Sequence, residues 1–219
     1  RARDPEHVAL FVEEARLAAR LSHANLTQIF DFAEDEAGAY YMAMEYVHGR
    51  DLREVLDRCV ATGRRIGDLR ALQLTIELLD GLACAHEASS RGRSLEVVHR
   101  DISPRNVLLG FNGDAKLTDF GIALGQGVGV HEDGVVRGKL AYMSPEQVRG
   151  LPLDGRSDLF AVGLVLYEML CGRRALEGPD GLPSIGRTAG AEIEPLARLR
   201  PDLPPRLLEL MTRVLAFEP

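Results

Sequence analysis

The chain has 219 residues, 46% of them hydrophobic and 27% charged, enough to bury a core as one domain or two small lobes. A formal net charge of −7 and a pI near 5.4 argue against a general nucleic-acid or membrane-surface binder. The three cysteines, Cys59, Cys84 and Cys171, are far apart and lie in apolar helical patterns, so they read as reduced core residues. No apolar run is long enough for a transmembrane helix and no signal peptide opens the chain, which sets the expectation of a cytoplasmic domain with no membrane contact of its own. The sequence begins without methionine and stops in mid-pattern at Phe217-Glu218-Pro219, so it is expected to be a piece of a longer protein, where a membrane anchor has room.

In chain order, residues 4–22 read as a helix, with Pro5 at its first position. Phe11, Ala18 and Leu21 fall on one stripe, and Glu14 sits on it. A charge inside a buried stripe wants a partner, although a glutamate at the edge of a solvated face fits the periodicity too. Two strands follow, about 26–33 and 39–46, then the glycine-bearing linker His48-Gly49-Arg50. Residues 51–60 form a short amphipathic helix. Asp68 caps a long helix through about Glu87, with Leu69, Leu72, Ile76, Leu79 and Ala83 as its buried face and His86 as a packing or C-terminal residue. Ser89–Ser94 reads as a solvated loop.

Val98-His99-Arg100-Asp101-Ile102-Ser103-Pro104-Arg105-Asn106 comes next, and after a short hairpin Asp119-Phe120-Gly121. Asn112-Gly113 is a strong signal for a two-residue type I′ turn. That turn sets Asn106 directly opposite Asp119, and Leu108 opposite Leu117. A carboxamide oxygen beside a carboxylate over an apolar floor suits Mg²⁺ with a phosphate completing the shell. Residues 121–144 are glycine-rich, and Asp154–Leu170 is a helix apolar all round and therefore buried. Pro179–Ala191 is a connection, and Pro204–Phe217 a last helix.

His-Arg-Asp, an asparagine five residues later and Asp-Phe-Gly beginning 18 residues after that aspartate resemble the catalytic loop and metal motif of eukaryotic-type protein kinases. Residues 11–26 are similar to that family's αC helix and its exit, Met44-Glu45-Tyr46-Val47 to its hinge, and Ser144-Pro145-Glu146 to the end of its activation segment. The whole chain resembles bacterial serine/threonine kinases of this type. The resemblance implies an α+β, protein-kinase-like bilobal fold, with residues 1–47 as a partial small lobe (a helix plus two strands) and 48–219 as a mostly helical large lobe. It implies ATP and Mg²⁺ as cofactors and a protein substrate, with Asp101 as base and Asn106 and Asp119 as metal ligands. Glu14 would pair with the phosphate-binding lysine, Met44 would be the gatekeeper, the Glu45 carbonyl and Val47 amide would face adenine, and Leu108 would floor the site. Asp158 would brace the catalytic loop, and Glu146 would await an arginine beyond residue 219.

Three departures bear on function. Neither the glycine-rich loop nor the strand lysine lies in this sequence, so residues 1–219 alone are expected to be nearly inactive. The only lysines are Lys116 and Lys139, every other member of the 26 Lys and Arg being arginine. Ser103 stands where the family usually has lysine and Lys139 where it usually has threonine, which suggests a swap of the two groups beside Asp101; a solvent-facing Lys139 is the competing reading. Phe120–Tyr142 holds no serine or threonine, so Glu132 and Asp133 are expected to stand in for a phosphate opposite Arg100, against the reading of a solvated tip. The leading function is a protein serine/threonine kinase; the alternative is a pseudokinase or interaction module, and a small-molecule phosphotransferase is a third reading. Tyrosine specificity stays open.

Overall fold

The computed structural model describes residues 19–36, 38, 40–90, 93–95, 97–120, 140–176, 190 and 192–216. The expected first helix, and Glu14 with it, lies outside them. Strand β1 (Ile29–Glu34) pairs antiparallel with β2 (Tyr40–Met44), and an irregularity between Ile29 and Asp31 leaves Phe30 facing outward. After β3 (Gly49–Asp51) the Asp51 side chain accepts the Glu54 N–H at 2.9 Å and so starts helix α1 (Leu52–Ala61).

Helix α2 (Asp68–His86) has the expected length but buries a different face. Ala71, Leu74, Thr75, Leu78, Leu82 and Ala85 are enclosed, whereas Leu69 is 72% and Ile76 57% exposed. The helix is apolar on two sides, and the side with the small residues wins because it lets other elements come close. A Cβ at Gly81 would lie 3.0 Å from the Asn25 carbonyl oxygen. Thr75 fits inside by donating its hydroxyl to the Ala71 carbonyl at 2.8 Å. Nor does Asp68 cap the helix: Gly67 is the N-cap, and the Asp68 carboxylate instead grips the buried Arg200 at 2.6 Å. Strand β4 (Ser89–Ser90) pairs antiparallel with β5 (Arg93–Ser94), where a loop was expected.

Strands β6 (Val107–Gly110) and β7 (Ala115–Leu117) extend β3 into a sheet of order β3-β6-β7. Their register is one residue out from the sequence expectation, pairing Val107 with Leu117 and Leu108 with Lys116. Gly113 N donates to Gly110 O and Gly110 N to Asp114 O, both at 2.9 Å, and Gly113 takes φ +98°. Those bonds define a three-residue loop, a type I turn closed by a left-handed glycine. Arg100 and Asp119 are the only described non-glycine residues at positive φ, so Asn112 is not left-handed and the type I′ turn is excluded. Asn106 therefore sits level with Thr118, whose N–H it accepts at 3.0 Å, not with Asp119.

A short helix α3 (Pro145–Val148) precedes α4 (Gly155–Cys171), which is buried on every side from Phe160 to Leu170 as its composition demands. The α4 cap is Asp154, and Gly172 in the left-handed region (φ +71°) ends it. Helices α5 (Leu196–Leu199) and α6 (Pro205–Val214) follow. Gly163 lets α6 approach: a Cβ there would meet Val214 Cγ1 at 2.7 Å. Few strands and many helices around one core give the expected α+β composition.

Candidate active site

Asp158, in the first turn of α4, is 1% exposed. Its Oδ2 accepts the His99 N–H at 2.8 Å and its Oδ1 the Arg100 N–H at 2.9 Å. His86, at the end of α2, brings Nε2 to within 2.8 Å of the same Oδ2. Gly155 makes room for that ring, since a Cβ there would lie 2.7 Å from His86 Nδ1. A carboxylate buried with three donors is compensated, and it fixes the loop's entry to the core.

Arg100 follows with φ +64°, a left-handed conformation that costs a non-glycine residue about 1–2 kcal/mol. His99, fully buried, ties the loop to the other motif: Nε2 lies 3.1 Å from the Thr118 carbonyl, and Asp101 N–H donates to Nδ1 at 3.3 Å. One ring nitrogen must donate and the other accept, which is the neutral tautomer. Burial holds the His99 pKa below its ordinary value, against the pull of Asp158 and Asp101. Between the folded and unfolded pKa values the unfolded chain binds more protons, so stability rises with pH there. Denaturant melts should show full stability above about pH 6.5 and a loss of up to about 1.4 kcal/mol per pH unit on acidification below it. A flat profile between pH 5 and 7 would contradict a neutral, buried His99.

Asn106 is the pivot of the loop. Its Nδ2 donates to the Asp101 carbonyl at 2.7 Å and to Asp101 Oδ2 at 3.0 Å. Both bonds use the nitrogen, leaving the carboxamide oxygen as the group for another partner. Asp119, exposed and at φ +56°, begins one residue beyond the level of Asn106. Phe120 is buried with its ring 4.5 Å from that of His99. Met44 shares a small cavity with Met42, Leu21, Asp119 and Phe120. Ser103 is 6% exposed and leads a single 3₁₀ turn, Pro104–Asn106. Glu45, whose N–H donates to Gln28 O at 2.8 Å, pairs its carboxylate with Lys116 at 3.1 Å. Val47 and Leu108 are half-buried. Lys139, Glu132 and Asp133 lie outside the described residues, as does Gly121.

Sequence reasoning missed a second buried network. Arg53 on α1 reaches Glu168 near the end of α4 at 2.7 Å and the Tyr142 hydroxyl at 3.2 Å, and Tyr142 donates its hydroxyl to the other Glu168 oxygen. Burial, then the Glu168 charge, push the Tyr142 phenol well above its ordinary pKa, so it stays a donor. The signal was present as a glutamate inside an otherwise apolar helix, but only the fold supplies its partner. For His86 the spacing carried no comparable signal.

The protein kinase domain family matches residues 1–219, and the chain belongs to that family. It is 41% identical over 219 residues to "Tyrosine-protein kinase MasK" of Myxococcus xanthus, covering 99% of this chain and 34% of that protein. It is 34% identical over 220 residues to "Serine/threonine-protein kinase PrkC" of Bacillus subtilis, covering all of this chain and 32% of the relative. Among solved structures, the PknI kinase domain of Mycobacterium tuberculosis superposes with TM-score 0.71 at 28% identity, over 99% of this chain and 73% of that one. The chain thus spans about a third of the length of these two longer relatives.

ATP is the co-substrate of this family, typically with Mg²⁺. Among the described residues no group of three His, Cys, Asp or Glu could hold a metal by itself. One carboxylate and one carboxamide oxygen are nevertheless the hard, incomplete donor set that suits Mg²⁺ when phosphate oxygens and water fill the remaining positions. No described helix is long and apolar enough to cross a membrane.

Proposed function

We propose that this domain, within its full-length protein, transfers the γ-phosphoryl group of ATP to serine or threonine hydroxyls of a protein substrate. The observation that carries the reading is Asn106, which holds Asp101 by both its backbone and its side chain on a loop anchored to a buried aspartate. Asp101 orients and accepts the substrate hydroxyl proton. Asn106 and Asp119 supply oxygens to Mg²⁺, which when bound neutralises charge on the β- and γ-phosphates. The Glu45 carbonyl and the Val47 amide face the adenine, Met44 is the gatekeeper and Leu108 floors the site, while Glu14 pairs with the phosphate-binding lysine. Ser103 brings no charge to the γ-phosphate, and Lys139 provides it. Residues 1–47 belong to the small lobe and 48–219 to the large.

A second reading, tyrosine as acceptor, is favoured by the 41%-identical relative whose name is that of a tyrosine kinase. One experiment separates the two. The full-length protein is incubated with radiolabelled ATP, Mg²⁺ and a mixed protein substrate, and the product is hydrolysed to its phosphoamino acids. Phosphoserine or phosphothreonine is expected, with transfer abolished by EDTA. Phosphotyrosine alone would select the second reading, and no transfer under any condition would remove both.

A further inference from the structure

Gln147, the residue after Ser144-Pro145-Glu146, uses both ends of its carboxamide. Its Oε1 accepts the Ser144 N–H at 3.0 Å, while its backbone N–H bonds the Ser144 hydroxyl at 3.4 Å, closing a capping box at the start of α3. Its Nε2 donates to the Arg100 carbonyl at 2.7 Å, 47 residues away in sequence. Chemistry fixes the amide orientation, because the oxygen faces an N–H and the nitrogen faces a carbonyl.

Arg100 is the left-handed residue immediately before Asp101. Its N–H is held by Asp158 Oδ1 at 2.9 Å and its carbonyl by Gln147, so side chains from two different elements grip both backbone polar groups of this residue. A sparsely populated backbone conformation persists when its surroundings over-determine it. The Arg100 carbonyl belongs to the same peptide plane as the Asp101 N–H, which points at His99 Nδ1. Turning that plane would break the Asp101–His99 bond and redirect the carboxylate. Gln147 therefore stands between the Leu140–Val148 segment and the residue that meets the substrate hydroxyl.

We propose that Gln147 is a positioning residue for Asp101, holding the Arg100–Asp101 peptide in its working orientation and coupling it to the Ser144 end of the neighbouring segment. The inference rests on the kinase reading. Gln147→Glu is the sharp test, since it keeps the acceptor toward Ser144 and sets a carboxylate oxygen against the Arg100 carbonyl. In the full-length protein it should lower kcat by about 10- to 100-fold, the scale of a small misplacement of a reacting group, with KM for ATP unchanged and the protein still folded at the assay temperature. A protonated carboxyl can donate as the amide does, so the ratio of variant to wild-type rate should climb as pH falls toward the glutamic acid range. Gln147→Met, whose thioether cannot donate to the Arg100 carbonyl, should show the kcat loss without the pH recovery. If both variants keep kcat within twofold, or lose activity only in step with loss of folded protein, the proposal fails. A wild-type protein without transfer activity would instead sink the kinase reading.

Discussion

Asp101→Asn is expected to cut phosphoryl transfer by about 10²- to 10⁴-fold while leaving the fold intact, the range that a positioned acid or base contributes. Asp101 is partly exposed, so the substitution buries no new polar group. The asparagine can present its own oxygen to Asn106 Nδ2, where Asp101 Oδ2 now accepts at 3.0 Å, and the Asp101 backbone bonds to Asn106 and His99 do not involve the side chain. What disappears is the negative charge that accepts a proton. Activity should therefore fall without a shift in the melting midpoint or in nucleotide affinity, measured by radiolabel transfer and by titration with an ATP analogue. A residual rate within tenfold of wild type would take Asp101 out of the base role.

Asp158→Ala should have the largest effect on stability. Two N–H groups, of the buried His99 and of Arg100, would lose a charged acceptor at 2.8 and 2.9 Å, and His86 would lose the group its Nε2 meets. Hydrogen bonds to a charged group contribute about 1.5–3 kcal/mol each, so the two backbone bonds alone amount to about 3–6 kcal/mol. Set against a typical domain stability of about 5–15 kcal/mol, that leaves the protein marginal. Urea melts of the complete domain should show the midpoint falling sharply. Asp158→Asn keeps one acceptor and should lie between alanine and wild type. A loss below about 1 kcal/mol for alanine would mean that water replaces the carboxylate, contrary to its enclosure.

The readable parts of the sequence were those set by local chemistry and fixed spacing. The two paired strands, the helices α2 and α4 and the placing of Asp101 and Asn106 on one loop followed from periodicity and motif, and Asp158 bracing that loop followed from the family resemblance. Two features misled for physical reasons. Asn112-Gly113 pointed to a two-residue turn, yet only Gly113 takes a left-handed conformation, and the extra loop residue moved Asn106 from Asp119 to Thr118. In α2 the apolar count favoured Leu69 and Ile76, whereas close approach favoured the side carrying Ala71, Gly81 and Ala85. The partners of Asp68, Glu168 and Gln147 were invisible because each lies tens of residues away in sequence, and only tertiary structure brings Arg200, Arg53 and Arg100 to them.

Helix α4 carries two of these attachments. Asp158 near its start holds the catalytic loop, and Glu168 ten residues on holds Arg53 and Tyr142. At 1.5 Å per residue the two carboxylates are set about 15 Å apart along one enclosed rod. A buried helix neither stretches nor slides by fractions of a turn, because the side chains from Phe160 to Leu170 are close-packed. The helix therefore works as a gauge bar, setting the distance between the Asp101 loop and the Tyr142 segment once, at folding.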